Sequence, residues 1–148
     1  MEQKTKLLIS ACLLGAACRY DGRSVPLPVE TITALNEKYA LVPVCPEQLG
    51  GLPTPRDPSE RQGDAVVTEA GRDVTAQYER GAQQALYLAE TLGCKSALLK
   101  QRSPSCGSRE IYDGTFSRTL IPGDGVTAAL LKAHGIAVYG ESEIKKLM

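Results

Sequence analysis

Apolar residues in this chain gather into short unbroken runs separated by long polar or turn-rich stretches. Leu7-Leu-Ile9, Leu41-Val-Pro-Val44 and Ala97-Leu-Leu99 each have the length and character of a buried strand. The runs predict strands over 6–10, 40–44 and 94–99, and Ile136 to Tyr139 predicts a fourth. Between them the period changes. Ile32, Leu35 and Tyr39 fall at helical spacing, so 29–39 reads as a helix. Tyr78, Ala82, Ala85, Leu86, Ala89 and Leu92 form one face of a longer helix, capped by Asp73 or Thr75 and ended by Gly93. Residues 125–134, with Leu130 and Leu131 inward, predict another helix, and Ser142 caps a short final one. Asp64 to Thr68 reads as a further short strand, and 112–117 as a turn or small hairpin. Strand–helix alternation predicts an α/β fold in three layers, a mostly parallel, Rossmann-like sheet with helices on both faces.

Two stretches break this pattern. Residues 12–28 carry Gly15, Gly22, Pro26 and Pro28 as breakers. Residues 45–58 hold four prolines and two glycines in fourteen positions, which predicts neither helix nor central strand. Long loops in a compact domain are usually functional. Each follows a predicted strand and begins at a cysteine, Cys12 and Cys45, and a third cysteine, Cys106, follows the strand ending at Leu99. Parallel strands end on one edge of their sheet, where open α/β sheets hold ligands. The expectation is three cysteine-bearing loops at the strands' C-terminal edge.

Composition narrows the function classes. A chain of 148 residues suits one domain, 1–148, that buries its core without disulfide staples. Seventeen basic residues balance seventeen acidic ones, which argues against a general DNA or RNA binder but leaves room for a local anion site. No apolar run approaches the length of a membrane span. Lys4 and Lys6 before the apolar stretch from Leu7 to Ala17 have some look of a signal peptide, with Cys18 as a lipoprotein cysteine. Gly15 stands where such a cleavage box wants Leu, and cleavage would remove the first strand together with Cys12. Five cysteines without regular spacing predict reduced thiols and a cytoplasmic protein.

Three converging thiols would suit a soft metal: zinc, copper(I) or an iron–sulfur cluster. Buried cysteine is also a common small hydrophobe, and no local CxxC pair singles out a metal. Three ligands from three loops fit a site with one open position, whereas a structural zinc site closes with a fourth ligand. The single histidine, His134, reads as a helix-end residue rather than that ligand. Glu47, two residues after Cys45, is a candidate general base or a plain loop glutamate. Ser103 and Ser105 flank Pro104 before Cys106, as proton-handling groups or as turn formers. Lys100, Arg102 and Arg109 make that loop basic enough for a carbonyl oxygen or a phosphate.

Six motifs extend the picture: Ser10-Ala-Cys-Leu-Leu-Gly15, Cys18-Arg-Tyr-Asp-Gly22, Val44-Cys-Pro-Glu47, Gly50-Gly-Leu-Pro-Thr-Pro-Arg56, Asp73-Val-Thr75 and Leu99-Lys-Gln-Arg-Ser-Pro-Ser-Cys-Gly107. In this order, from Lys6 to about Tyr139, the chain resembles the TudS thiouracil desulfidase family. The resemblance implies a [4Fe-4S] cluster held by Cys12, Cys45 and Cys106, with the fourth iron free of protein ligands. It implies a non-redox reaction in which that iron takes the sulfur of a thiolated uracil and water replaces it, assisted by Glu47 and Ser103. Thiouracil or 4-thiouridine monophosphate becomes its oxygen counterpart and hydrogen sulfide is released. Cys18 falls outside the cluster, and Cys94 is expected in the core. Arg19, Arg23, Arg56 and Arg102 are candidates for the ring carbonyl or a phosphate. The expected partners are a small thiolated pyrimidine and the iron–sulfur assembly machinery, and the expected state is a monomer or weak dimer. The main rival is an iron–sulfur protein for electron transfer or redox sensing, with no use for Glu47 or Ser103; a closed zinc module ranks third.

Overall fold

The computed structural model describes residues 3–148. In chain order they form β1 (Thr5–Ser10), α1 (Val29–Lys38), β2 (Tyr39–Val44), α2 (Pro46–Leu49), β3 (Ser59–Gln62), β4 (Ala65–Thr68) and α3 (Thr75–Leu92). Then follow β5 (Ser96–Leu98), β6 (Glu110–Tyr112), β7 (Leu120–Pro122), α4 (Val126–Ala133) and β8 (Ala137–Tyr139). Tight 3-10 turns cover Ala11–Leu14 and Glu141–Lys146.

The apolar runs form the centre of the main sheet. Its order is β2-β1-β5-β8, and every pair is parallel. Strands buried on both faces need continuous apolar sequence, which is why these runs do not alternate with polar residues. Successive side chains instead alternate between two apolar layers. Leu8, Ala97 and Leu99 pack with Ala89 of α3 and Leu131 of α4. Leu7, Ile9 and Leu98 pack on the other side with Leu35 of α1 and Leu147. The three-layer α/β expectation holds.

The differences are local. Tyr39 opens β2 instead of closing α1, and its hydroxyl donates to the Leu147 carbonyl at 2.5 Å. Asp73 does not cap α3, whose N-cap is Val74; Asp73 Oδ1 accepts the Thr75 N–H at 2.9 Å, and Thr75 Oγ1 accepts the Val66 N–H. Leu92, at the helix end, is exposed, and in α4 Thr127 and Ala128 are buried with Leu131 while Leu130 is only partly covered. Ser142 does not cap the last turn, whose N-cap is Gly140; it donates to Gln101 Oε1 through both its N–H and its hydroxyl. The segment 45–58 contains a helical turn after all, α2, because Pro46 occupies its first position, where no N–H is required. The hairpin is real, with β6 and β7 flanking the turn, and β3 pairs antiparallel with β4.

Candidate functional site

From β1 the sheet grows to β2 on one side and to β5 and β8 on the other. The connection direction therefore reverses between β1 and β5, and the loops leaving neighbouring strands there separate and open a crevice. A cavity of about 600 Å³ lies among them. Cys12, Cys45, Cys106, Glu47 and Ser103 all line it. Cys12 sits in the turn directly after β1, and Cys45 is the residue after β2. Ser10 and Val44 are register partners, so the two thiols leave adjacent strand ends.

Cys106 lies further from its strand and is held differently. Val126 N–H donates to the Pro104 carbonyl at 2.9 Å, and the Thr127 and Ala128 N–H groups donate to the Ser105 carbonyl. Free N–H groups at a helix start need acceptors; in α4 they take the carbonyls of the cysteine loop. Ser105, 1 % exposed, exchanges a hydrogen bond with Thr127 at 2.8 Å, so it anchors the loop and does not reach the chemistry. Ser103 does line the cavity. Its Oγ accepts the N–H groups of Ser105 at 3.1 Å and Cys106 at 3.0 Å, which leaves its own proton to donate.

Glu47 is carried on the first turn of α2, and a contact between glycines brings that turn against α3. A Cβ on Gly50 would lie 1.9 Å from the Gln77 carbonyl oxygen, and one on Gly81 would lie 1.9 Å from that of Pro46. At this approach the Tyr78 hydroxyl donates to Glu47 Oε1 at 2.6 Å. Arg56 Nη2 donates to Glu47 Oε2. Arg56 is thus spent inside the protein, on Glu47 and on the Cys18 and Pro53 carbonyls, and does not serve as a substrate cation. Sequence reasoning missed Tyr78 because helical spacing registers only its ring; the signal was that a buried tyrosine hydroxyl needs a partner. Burial first, then the Glu47 charge, raises the Tyr78 hydroxyl well above its ordinary range.

Burial is also the largest influence on the thiols. It pushes Cys12 up to about 11, with Cys45 nearby adding to the effect, and it raises Cys106 strongly. Metal ligation takes the thiolate form, so taking up a metal group displaces protons from thiols that burial holds up. Cys18 lines the same cavity and is pushed to about 12 by burial and then by Cys45; the Cys45 thiol faces the Cys18 carbonyl at 3.7 Å. Cys94 is in the core, as expected.

The cations sort themselves by position. Arg19, Lys100 and Arg102 line the cavity. Lys100 is paired with Glu141 at 3.1 Å, and Arg102 has no ion pair among the described residues. Arg109 points outward to Glu143, and Arg23 is not among the cavity's walls. The β6–β7 loop adds Phe116 and Arg118 to the wall. Arg102, Phe116 and Arg118 have φ of 65°, 58° and 61°, left-handed backbone that costs a non-glycine residue about 1 kcal/mol or more and clusters at functional sites. Buried Glu60 fixes the loop by accepting the Gly114 and Phe116 N–H groups. His134 ends α4, beside Glu90 and outside the cavity.

The family model for 2-thiouracil desulfurase matches residues 7–143. The chain belongs to that family. It is 42% identical to YbbK, an uncharacterised protein of Bacillus subtilis, over 96% of this chain and 99% of YbbK. It is also similar to the solved structure of TudS, a [4Fe-4S]-dependent thiouracil desulfidase, with a TM-score of 0.93 and 50% identity over 97% of this chain and 95% of that one. The family resemblance drawn from the six motifs holds across nearly the whole chain. No helix among the described residues is long and apolar enough to cross a membrane.

Proposed function

We propose that this protein is a [4Fe-4S]-dependent desulfidase that replaces the sulfur of a thiolated uracil with oxygen from water and releases hydrogen sulfide. The observation that carries the reading is the shared cavity, onto which Cys12, Cys45 and Cys106 open together with Glu47 and Ser103. These residues fit the cluster. Cluster cysteines each bind a different iron and need not meet at one point. Three thiols brought to one cavity from three loops, with no fourth ligand from the single histidine, His134, outside that cavity, suit a cluster with one open iron.

Held by three cysteines, the cluster supplies one iron without a protein ligand, a soft Lewis acid for a thiocarbonyl sulfur. Ser103 donates its hydroxyl proton to a water and fixes its orientation. Glu47 accepts a proton from that water as its oxygen attacks the ring carbon; as the carbon–sulfur bond breaks and the carbonyl forms, that proton and the one left on the added oxygen leave with the sulfur as hydrogen sulfide. The cavity has the volume of a pocket for a drug-sized ligand, larger than a free base requires. Arg19 and Arg102 on its wall give a phosphate its partners, so a nucleotide such as 4-thiouridine monophosphate is a substrate alongside the free base. An electron-transfer protein would have no use for a glutamate bracketed by two donors.

The ligand assignment is tested by iron content after anaerobic purification. Cys12→Ala, Cys45→Ala and Cys106→Ala each lose the cluster, while Cys18→Ala and Cys94→Ala retain it. A full iron complement in Cys106→Ala contradicts the assignment.

A further inference from the structure

We propose that Tyr78 and Arg56 are positioning residues for Glu47, each fixing one carboxylate oxygen so that the group meets the cavity in one orientation. The proposal rests on the reading of Glu47 as the group that takes the water's proton. Tyr78 is 2 % exposed, and its hydroxyl reaches Glu47 Oε1 at 2.6 Å. The Arg56 side chain is 6 % exposed and holds Glu47 Oε2.

The two terminal nitrogens of the guanidinium carry further bonds. Nη1 donates to the Pro53 carbonyl at 3.1 Å and to Thr54 Oγ1 at 3.0 Å, and Nη2 donates to the Cys18 carbonyl at 3.0 Å. Gln48 Nε2 donates to the same Thr54 hydroxyl oxygen at 2.8 Å. One arginine therefore ties together the loop after β1, the α2 turn and residues 53–56. A glutamate with only a solvated structural role would not be bracketed on both oxygens by groups this well anchored. Each oxygen of an ionised carboxylate has two lone-pair sites, so each keeps one for a water after its donor is counted. Both donors hold the carboxylate in one orientation toward the cavity.

The test is Tyr78→Phe in the cluster-loaded protein. The visible spectrum and iron content stay as in the unaltered protein, kcat falls roughly 10- to 100-fold, as for loss of an outer partner of a functional ligand, and KM stays within about twofold. Removing a general base costs about 10²–10⁴-fold and so leaves a measurable rate in Glu47→Gln. In that background Tyr78→Phe has no further effect, because the group it positions is gone. An unchanged kcat, or an equal loss in both backgrounds, overturns the proposal. Full activity of Glu47→Gln overturns the underlying reading of Glu47 instead, whatever Tyr78→Phe does. Should Tyr78→Phe fail to fold, Arg56→Lys keeps the charge and loses the fork. Its kcat then falls with KM within about twofold, and shows no further loss in the Glu47→Gln background, if the proposal is right; an unchanged kcat, or an equal loss in both backgrounds, overturns it.

Discussion

At the scale of the residue, Glu47 and Ser103 hold complementary positions. Glu47 has a donor on each oxygen, and Ser103 accepts two backbone N–H groups while keeping one proton to give. A water between them would accept from the serine and donate to the carboxylate. Glu47→Ala and Ser103→Ala should therefore retain the brown cluster and its iron but lose turnover by about 10²–10⁴-fold. Full activity in both would refute the acid–base roles, and loss of iron in both would make them structural. These residues could be read from the sequence because each sits inside a motif beside a cysteine. Arg56 could not be assigned that way. A cation in a proline-rich loop gives no sign whether it faces a ligand or its own protein, and only the fold brings Cys18, Pro53 and Glu47 around it.

At the scale of the element, the close contact of α2 with α3 delivers Glu47 to Tyr78. Glycine inside a helix normally costs about 1 kcal/mol relative to alanine, so Gly81 in the middle of α3 calls for a reason. The Pro46 carbonyl oxygen occupies the space its side chain would take. Gly81→Ala should accordingly destabilise the protein by about 1–3 kcal/mol through overpacking, measured as a lower denaturant midpoint with unchanged slope. It should also reduce turnover by displacing α2. Stabilisation by the amount that helix propensity alone predicts would contradict this packing. The apolar strands and the long helix were legible because burial on both faces and a 3.6-residue period leave strong patterns. β3 left none: Ser-Glu-Arg-Gln carries no apolar residue, and pairing with β4 alone makes it a strand. The α2 turn was hidden among prolines, one of which in fact opens it.

At the scale of the whole molecule, the sheet order decides where chemistry can occur. Reversal of the connections between β1 and β5 opens a crevice at the strand ends, and cysteines far apart in the chain line it. The alternation of strands and helices made the architecture legible, and three cysteines following three strands made the convergence an expectation. The walls contributed by the β6–β7 loop were not foreseeable, since Phe116 and Arg118 enter through left-handed backbone that turn composition does not specify. The central claim is that this crevice holds a cluster that converts thiolated uracils. It is tested most directly by purifying the protein without oxygen, recording its visible spectrum and its iron and sulfide content, then adding 4-thiouracil or 4-thiouridine monophosphate and following the near-ultraviolet thiocarbonyl band. The account predicts a brown protein with about four irons per chain that bleaches the band and releases sulfide. A colourless protein holding zinc, or a brown one that leaves the band of both compounds unchanged, would contradict it.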